Sequence, residues 1–478
     1  MSTEGTSSTQ GAPSHGPAVT FEDRMSDQDA LMWSIEKDPM LRSTVTTLMV
    51  LDGEVRADQL HHTFDRASRI IPRLRQRVRG NPLSLAPPRW EVDPNFDLRY
   101  HLRTARVPGS GSMADLLKMA GPIAMQGFDR ARPLWEATIV EGLAGSKSAI
   151  VLKFHHSITD GVGGVELMLE LFELAPDAAE RTMPHAPDVH VLNQAQRFVN
   201  AFQHESRRQF SFAFQMSSAG ASSVRNAFFN PSLQAASSAE LIASAGRILR
   251  PEGTPMSAIM TRRTLSNSLD VLSMPLDLAK KVGHLIDGTI NDTFLSGIAR
   301  GMSLYHMHHG AEQGKLRMGM PINIRGDAPS TTSGNSFVPA RFEIQIDFED
   351  LTELMTHIRE RAIAARDEPA NQLVEPLSGV LNKLPTTVVT QIFGSMMKGL
   401  DFQASNVPGS PIPIYLQGIP VTAVYPFGPL AGAAVNITLL SYQNELNIGV
   451  NLDPAAVPDA DVFMECLRTA YDELLDLV

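Results

Sequence analysis

The residues of this 478-residue chain best equipped for chemistry are two adjacent histidines, followed after three positions by Asp-Gly: His155-His156-Ser157-Ile158-Thr159-Asp160-Gly161. A neutral imidazole, with an ordinary pKa of about 6.5, is the side chain best suited to accept a proton from a hydroxyl at neutral pH. The pattern follows an apolar run, Ala149-Ile150-Val151-Leu152, and precedes a helix-like stretch from Val162 to Phe172. Neighbours on an extended chain point to opposite faces, so one histidine looks into a given cleft and the other packs or bonds the backbone. Asp160 cannot orient both rings directly, and a distant arginine is its expected partner. Gly161 lets the backbone turn or approach closely.

Rival chemistries lack their parts. His155, His156 and Asp160 do not have the one-faced i, i+4 spacing of a zinc helix, and no His-Glu-x-x-His occurs, so no metal site is expected. His306, His308 and His309 read as surface histidines near a helix end. There is no Gly-x-Ser-x-Gly elbow. The single cysteine, Cys466, sits in an amphipathic pattern and reads as a small buried thiol, not a nucleophile. A P-loop and a dinucleotide fingerprint are also missing from the sequence.

The elements that must hold the histidines are a mixture of strands and helices, an α/β chain too irregular in its strand spacing for a doubly wound fold. Met25 to Glu36 reads as a helix with Ser26 as its N-cap, Ser43 to Leu51 as a strand, and Ala57 to Ile70 as a helix. Strands are expected at Arg89 to Val92, Ala137 to Glu141 and Ala149 to Phe154, with a helix at Met113 to Met125. Further on, Asn291 reads as the N-cap of a helix over Thr293 to Tyr305, and Leu351 to Arg366 as a charged amphipathic helix. Leu316 to Ile324 and Val338 to Ile346 read as strands. Ala433 to Ser441 and Leu446 to Asn451 form an expected hairpin about Gln443-Asn444.

At this length two domains are the default. Residues 1–18 are rich in Ser, Thr, Gly and Pro and read as a disordered tail. Residues 19–180 form a first subdomain, 181–257 a helical basic linker, and 258–478 a second subdomain. Net charge is −11, which argues against a nucleic-acid partner. The linker runs against that balance: between Val191 and Arg250 six arginines face two glutamates. Such a basic, phenylalanine-bearing stretch is either a solvated connector or a surface that meets anionic lipid. Phe402 to Asn444 carries no Asp, Glu, Lys or Arg, yet six prolines interrupt it, so a spanning helix is not expected.

Further stretches accompany the histidine motif in order: Arg132-Pro133-Leu134-Trp135-Glu136, Asn291-Asp292, Met320-Pro321-Ile322-Asn323-Ile324-Arg325 and Ser405-Asn406-Val407-Pro408-Gly409. His-His-x-x-x-Asp-Gly is the signature of the CoA-dependent acyltransferase superfamily. With the other motifs, the chain from about Met25 onward resembles the bacterial wax ester synthase/diacylglycerol acyltransferase family. The resemblance implies two chloramphenicol-acetyltransferase-like subdomains facing each other across an active-site tunnel.

It also implies roles. His156 would be the general base, His155 structural or assisting, and Asp160 the partner of an arginine, with Arg325 the candidate. Gly161, Asn291 and Asp292 would lie near the substrates, while Trp135, Ser405 and Asn406 would be scaffold. Acyl-CoA would be a substrate and no cofactor would be needed. The acceptor would be diacylglycerol or a long-chain alcohol, and the protein would be cytoplasmic and attached peripherally to a membrane or lipid droplet. Two rival readings stay open: a condensation-type acyltransferase fed by a carrier protein, and a catalytically silent lipid-droplet scaffold.

Overall fold

The apolar run before the histidine motif forms the middle of a sheet, and both of its faces are covered. In the computed structural model, which describes residues 21–80, 86–158, 167–179, 181–208, 253–323, 337–368, 378, 381–382 and 384–478, alternate residues of this strand enter different cores. Ile150 and Leu152 pack with Met49, Leu60, Phe64 and Trp135. Ala149 and Val151 pack on the other side with Leu48, Leu116 and Ala120. A strand buried on both faces needs a continuous apolar run instead of alternation, as this one has. Each fully buried Leu or Phe side chain contributes about 1.5–3 kcal/mol.

The strands of the first half are β1 (Thr44–Leu51), β2 (Gln76–Arg79), β3 (Arg89–Val92), β4 (Leu102–Arg106), β5 (Trp135–Leu143) and β6 (Lys147–His155). The second half has β7 (Ser268–Pro275), β8 (Lys315–Asn323), β9 (Phe337–Gln345), β10 (Phe402–Val407), β11 (Tyr415–Leu416), β12 (Ile419–Phe427), β13 (Val435–Tyr442) and β14 (Glu445–Leu452). Among the described residues they build two six-stranded sheets, ordered β11-β12-β1-β6-β5-β4 and β7-β14-β13-β10-β8-β9, plus the small pair β2-β3. The expected α/β architecture of two sheet-bearing halves is what the structure shows.

A division of the chain at residue 258 does not describe the sheets completely. β12 leaves the second half and pairs antiparallel with β1, setting Thr46 against Phe427 and Leu48 against Tyr425. Residues 415–427 thus complete the first sheet, which hydrophobic pattern alone did not reveal. Where β12 passes the second sheet the backbones approach closely. A Cβ on Gly449 of β14 would collide with the Pro426 carbonyl, which is why this strand carries glycine there.

Helices cover the sheets. Ala57–Ile70 lays Leu60, Phe64 and Ala67 on the first sheet, and Met113–Met125 covers its other face. In the second half Ile290–His308, Leu351–Arg366 and Ala460–Leu475 bury their apolar faces in one core with the inner residues of β8, β13 and β14. Cys466 packs at the edge of that core, half-buried, with its thiol pushed up by burial. Among the described residues, no helix is long and apolar enough to cross a membrane. The expected tail at 1–18, residues 209–252 of the linker, and Asp160, Gly161 and Arg325 lie outside the described residues.

Candidate active site

β6 ends at His155, so the two histidines stand where the chain leaves the sheet. His155 N–H donates to the Leu134 carbonyl (3.0 Å) and His156 N–H to the Ser43 carbonyl (2.9 Å). The backbone then turns, with Ile158 N–H donating to the His155 carbonyl (2.9 Å). Successive amides therefore engage opposite flanks of the strand end, and the two rings occupy different surroundings.

The His155 ring is enclosed, at 1% exposure. Its Nδ1 accepts from Ser157 N–H (3.1 Å) and lies 2.7 Å from Ser157 Oγ. A ring nitrogen that accepts an amide N–H carries no proton, so the neutral ring holds its proton on Nε2. Nε2 then donates to Glu36 Oε1 at 2.9 Å. The His155 and Trp33 rings meet edge to face, centroids 5.5 Å apart, and the Arg130 guanidinium lies 3.9 Å from the Trp33 centroid. Both nitrogens of His155 are thus committed inside the protein. His156 is only partly buried and follows directly on the chain.

Glu36 was not foreseen as a site residue. Burial pushes its carboxyl up, but His155, the Ser43 amide and Arg130 outweigh that and hold it below its ordinary 4.5. The sequence did hold a signal: Glu36 is the C-cap of the helix Asp27–Ile35, the end where the helix dipole disfavours a carboxylate. A carboxylate there has a partner elsewhere.

The strand beneath the histidines is anchored by the Pro133-Leu134-Trp135-Glu136 motif. Trp135 is buried, donates from Nε1 to the Leu74 carbonyl (2.8 Å), and stacks between Phe64 and His101, centroids 5.6 and 4.8 Å away. Burial holds His101 below its ordinary pKa, so that ring packs as a neutral plate. Glu136 pairs across the strands with Lys153, Nζ to Oε2 3.1 Å. Both faces of the Trp135 ring and its N–H are thus occupied by the protein itself.

The second half contributes another cluster. Thr289, not Asn291, caps the helix Ile290–His308, because a capping box links Thr289 to Asp292. Asp292 was expected among the substrate-binding residues. Its carboxylate instead accepts from Thr289 N–H (2.7 Å) and Oγ1 (3.0 Å) and pairs with Arg359 (3.1 Å), at 5% exposure. That leaves Asn291 displayed beside the cap, its Oδ1 3.5 Å from Asn406 Nδ2.

Ser405 and Asn406 lie on β10, in parallel register with Thr438 and Leu439 of β13. Gly409 closes their motif where a Cβ would strike the Ser441 carbonyl. Asn406 also lines a cleft of about 450 Å³ with apolar walls, among them Leu276, Ile290, Leu439 and Leu446, and the polar Ser441 and Gln443. Apolar walls with a few polar groups are the ordinary form of a site for a lipid-like molecule.

Among the described residues, no group of three or more His, Cys, Asp or Glu side chains could hold a metal ion. His306 is not at the surface as expected: it is buried, with Nδ1 2.8 Å from the Met302 carbonyl and Nε2 2.9 Å from Ser257 Oγ.

Comparison with known proteins bears on the whole chain. Residues 25–294 match the family model described as "Wax ester synthase/diacylglycerol acyltransferase catalytic domain", and residues 333–475 match "WS/DGAT C-terminal domain". A Mycobacterium tuberculosis protein named as a diacylglycerol O-acyltransferase is 32% identical over 462 residues, covering 97% of this chain and 94% of the relative. A second protein of that name from the same species is 27% identical, covering 90% and 91%.

Among solved structures, the wax ester synthase/diacylglycerol acyltransferase of Marinobacter aquaeolei VT8 superposes with a TM-score of 0.62 at 20% identity, covering 94% of this chain and 98% of that one. The starter condensation domain of rhizomide synthetase, in complex with C8-CoA and Leu-SNAC, gives 0.55 at 11% identity, covering 95% and 94%. These two likenesses are of fold. With two family models in register and a relative matched along almost its full length, the chain belongs to the wax ester synthase/diacylglycerol acyltransferase family of acyltransferases.

Proposed function

We propose that this acyltransferase moves a long-chain fatty acyl group from acyl-CoA to a lipid hydroxyl, that of diacylglycerol or a fatty alcohol, with His156 as general base. The observation that supports the reading is the enclosure of the His155 ring, both of whose nitrogens engage Ser157 and Glu36, beside a second imidazole, His156, that is only partly buried. The acceptor O–H proton passes to His156 as the oxygen attacks the thioester carbonyl. The tetrahedral intermediate collapses, the C–S bond breaks, and the protonated imidazole returns its proton to the departing CoA sulfur. Such a base contributes about 10²–10⁴-fold, and holding both substrates together contributes much of the rest. No cofactor enters this sequence, and acyl-CoA is consumed as substrate. The names of the two mycobacterial relatives favour diacylglycerol as the acceptor.

One geometric feature favours a second reading. Ser157, His155 and Glu36 stand in the order nucleophile, imidazole, carboxylate. Direct transfer is preferred because Ser157 is 8% exposed and its own amide closes on the same ring nitrogen, forming a local turn.

The test is free-CoA release from palmitoyl-CoA with dipalmitoylglycerol or hexadecanol, and no carrier protein. Wild type should release CoA and form the ester, His156→Ala should lose at least about 100-fold, in line with a general base, and Ser157→Ala should keep most of its rate. Equal rates for wild type and a folded His156→Ala remove the general-base assignment. Loss of all turnover in Ser157→Ala, with an acyl-enzyme trapped in wild type, selects the second reading.

Attachment to a lipid surface is also part of the proposal, through residues other than the linker arginines. Arg197 pairs with the buried Glu91 (3.8 Å) and Arg208 with Asp27 (2.5 Å), so these two are occupied within the fold. On the same helix, residues 194–208, Phe198, Val199 and Phe202 are exposed on one face. Burying such an apolar face at the headgroup boundary is one of the two contributions to interfacial binding, the other being charge.

A further inference from the structure

We infer that Glu36 is a positioning residue for acyl transfer: its carboxylate fixes the His155 ring and the Ser43 backbone together, and these two hold His156 in place. The inference rests on the reading of His156 as the proton acceptor. Glu36 Oε1 accepts both His155 Nε2–H (2.9 Å) and Ser43 N–H (2.6 Å). The carbonyl of that same Ser43 accepts His156 N–H at 2.9 Å. One oxygen therefore touches both flanks of the peptide that carries His156: the preceding ring, and the strand against which His156 is bonded.

The other oxygen completes the clamp. Oε2 receives the Arg130 guanidinium at 3.3 Å, and Arg130 also donates to the Trp33 carbonyl (3.0 Å) and covers the Trp33 ring. Trp33 in turn packs against the His155 ring in a T-shaped contact. A carboxylate suits this post because it is acceptor-only and three donors converge on it. Its position at a helix C-terminus, with a side chain only 9% exposed, offers the helix nothing. The arrangement makes sense as support for a neighbouring group. A displacement of about 1 Å in a reacting group can cost on the order of 10²-fold in rate.

The experiment uses the full chain in the palmitoyl-CoA and dipalmitoylglycerol assay, with folding checked by circular dichroism and thermal melting. Glu36→Ala should lower kcat by about 10–100-fold with KM within about twofold, the signature of lost orientation. Glu36→Gln, which keeps an acceptor oxygen, should restore kcat to within about fivefold of wild type, a hydrogen-bond effect being smaller than loss of the contact. Because part of the effect of Glu36 passes through His155, the pair Glu36→Ala and His155→Ala should be non-additive, the double variant losing less than the product of the two single losses.

Wild-type kcat in Glu36→Ala, equal impairment of the Gln and Ala variants, or multiplicative losses in the double variant overturn the inference. If Glu36→Ala does not fold, Glu36→Gln alone decides: a folded Gln variant that loses more than about fivefold refutes positioning by hydrogen bond, and one within about fivefold supports it. The outcome is separate from the general-base assignment, which falls on the His156→Ala result whatever Glu36 does.

Discussion

Removing the charge of Glu136 should destabilise the protein strongly at neutral pH and much less at alkaline pH. Its partner Lys153 is fully buried, with Nζ 3.1 Å from Glu136 Oε2, 2.9 Å from the Gln126 carbonyl and 4.7 Å from the Phe128 centroid. Burial pulls the Lys153 ammonium below its ordinary 10.5, and Glu136 opposes that pull incompletely. In Glu136→Gln the opposing charge is gone, and breaking one side of a buried pair costs about 3–5 kcal/mol.

The sign with pH follows from proton counting. A lysine whose folded pKa is depressed binds fewer protons folded than unfolded, so stability rises as pH climbs from the folded pKa toward 10.5. The variant lowers the folded pKa further and widens that window. Its deficit should therefore be larger at neutral pH and shrink as pH climbs toward 10.5. Replacing both residues, Glu136→Leu with Lys153→Met, should return stability to within about 1–2 kcal/mol of wild type, since apolar substitution of a whole buried pair is often neutral or better. Urea unfolding followed by tryptophan fluorescence at pH 7, 8.5 and 10 measures this. A Glu136→Gln midpoint equal to wild type at pH 7, or a deficit unchanged across the three pH values, refutes the reasoning.

Two further outcomes are expected. Asp292→Ala removes the Thr289 capping contacts and the Arg359 pair, and should cost about 1–2 kcal/mol in urea unfolding while the folded fraction keeps most of its turnover; an inactive variant of wild-type stability would place Asp292 in the chemistry. Replacing Phe198 and Phe202 together by Ser should weaken sedimentation with both neutral and anionic liposomes, and substitution of Arg197 by Gln should weaken it less, an ordering that salt titration and sedimentation would reverse if charge were the main attraction.

The parts of the fold legible in the sequence are those governed by local periodicity. The helices Ala57–Ile70, Met113–Met125 and Leu351–Arg366 occupy the spans that their apolar spacing indicates. The apolar run up to Phe154 forms the expected strand, extended by its neighbours to Lys147–His155. The cap of the helix Ile290–His308 was misplaced by two residues, because Asn291 is a good cap by type while the reciprocal Thr289–Asp292 pair forms the better one. Non-local relations were not legible. The pairing of β12 with β1, the contact of Glu36 with His155, and the ion pairs of Arg197 and Arg208 each join segments far apart in the chain. Residue type and spacing limit such partners without naming them.

The passage of β12 into the first sheet has a consequence for how the protein is made. Synthesis delivers β1, β4, β5 and β6 long before Ile419–Phe427 emerges, so the edge of β1 waits without its neighbour. Long-range pairing of this kind slows folding, and an unpaired apolar edge is a template for association with other chains. The first half should accordingly be a poor independent folding unit, and a nascent chain halted before residue 415 should be a strong substrate for chaperones that shield strand edges. Arrival of β12 beside β1 is then the step that completes the first sheet, the sheet from whose strand end the His155-His156 turn departs.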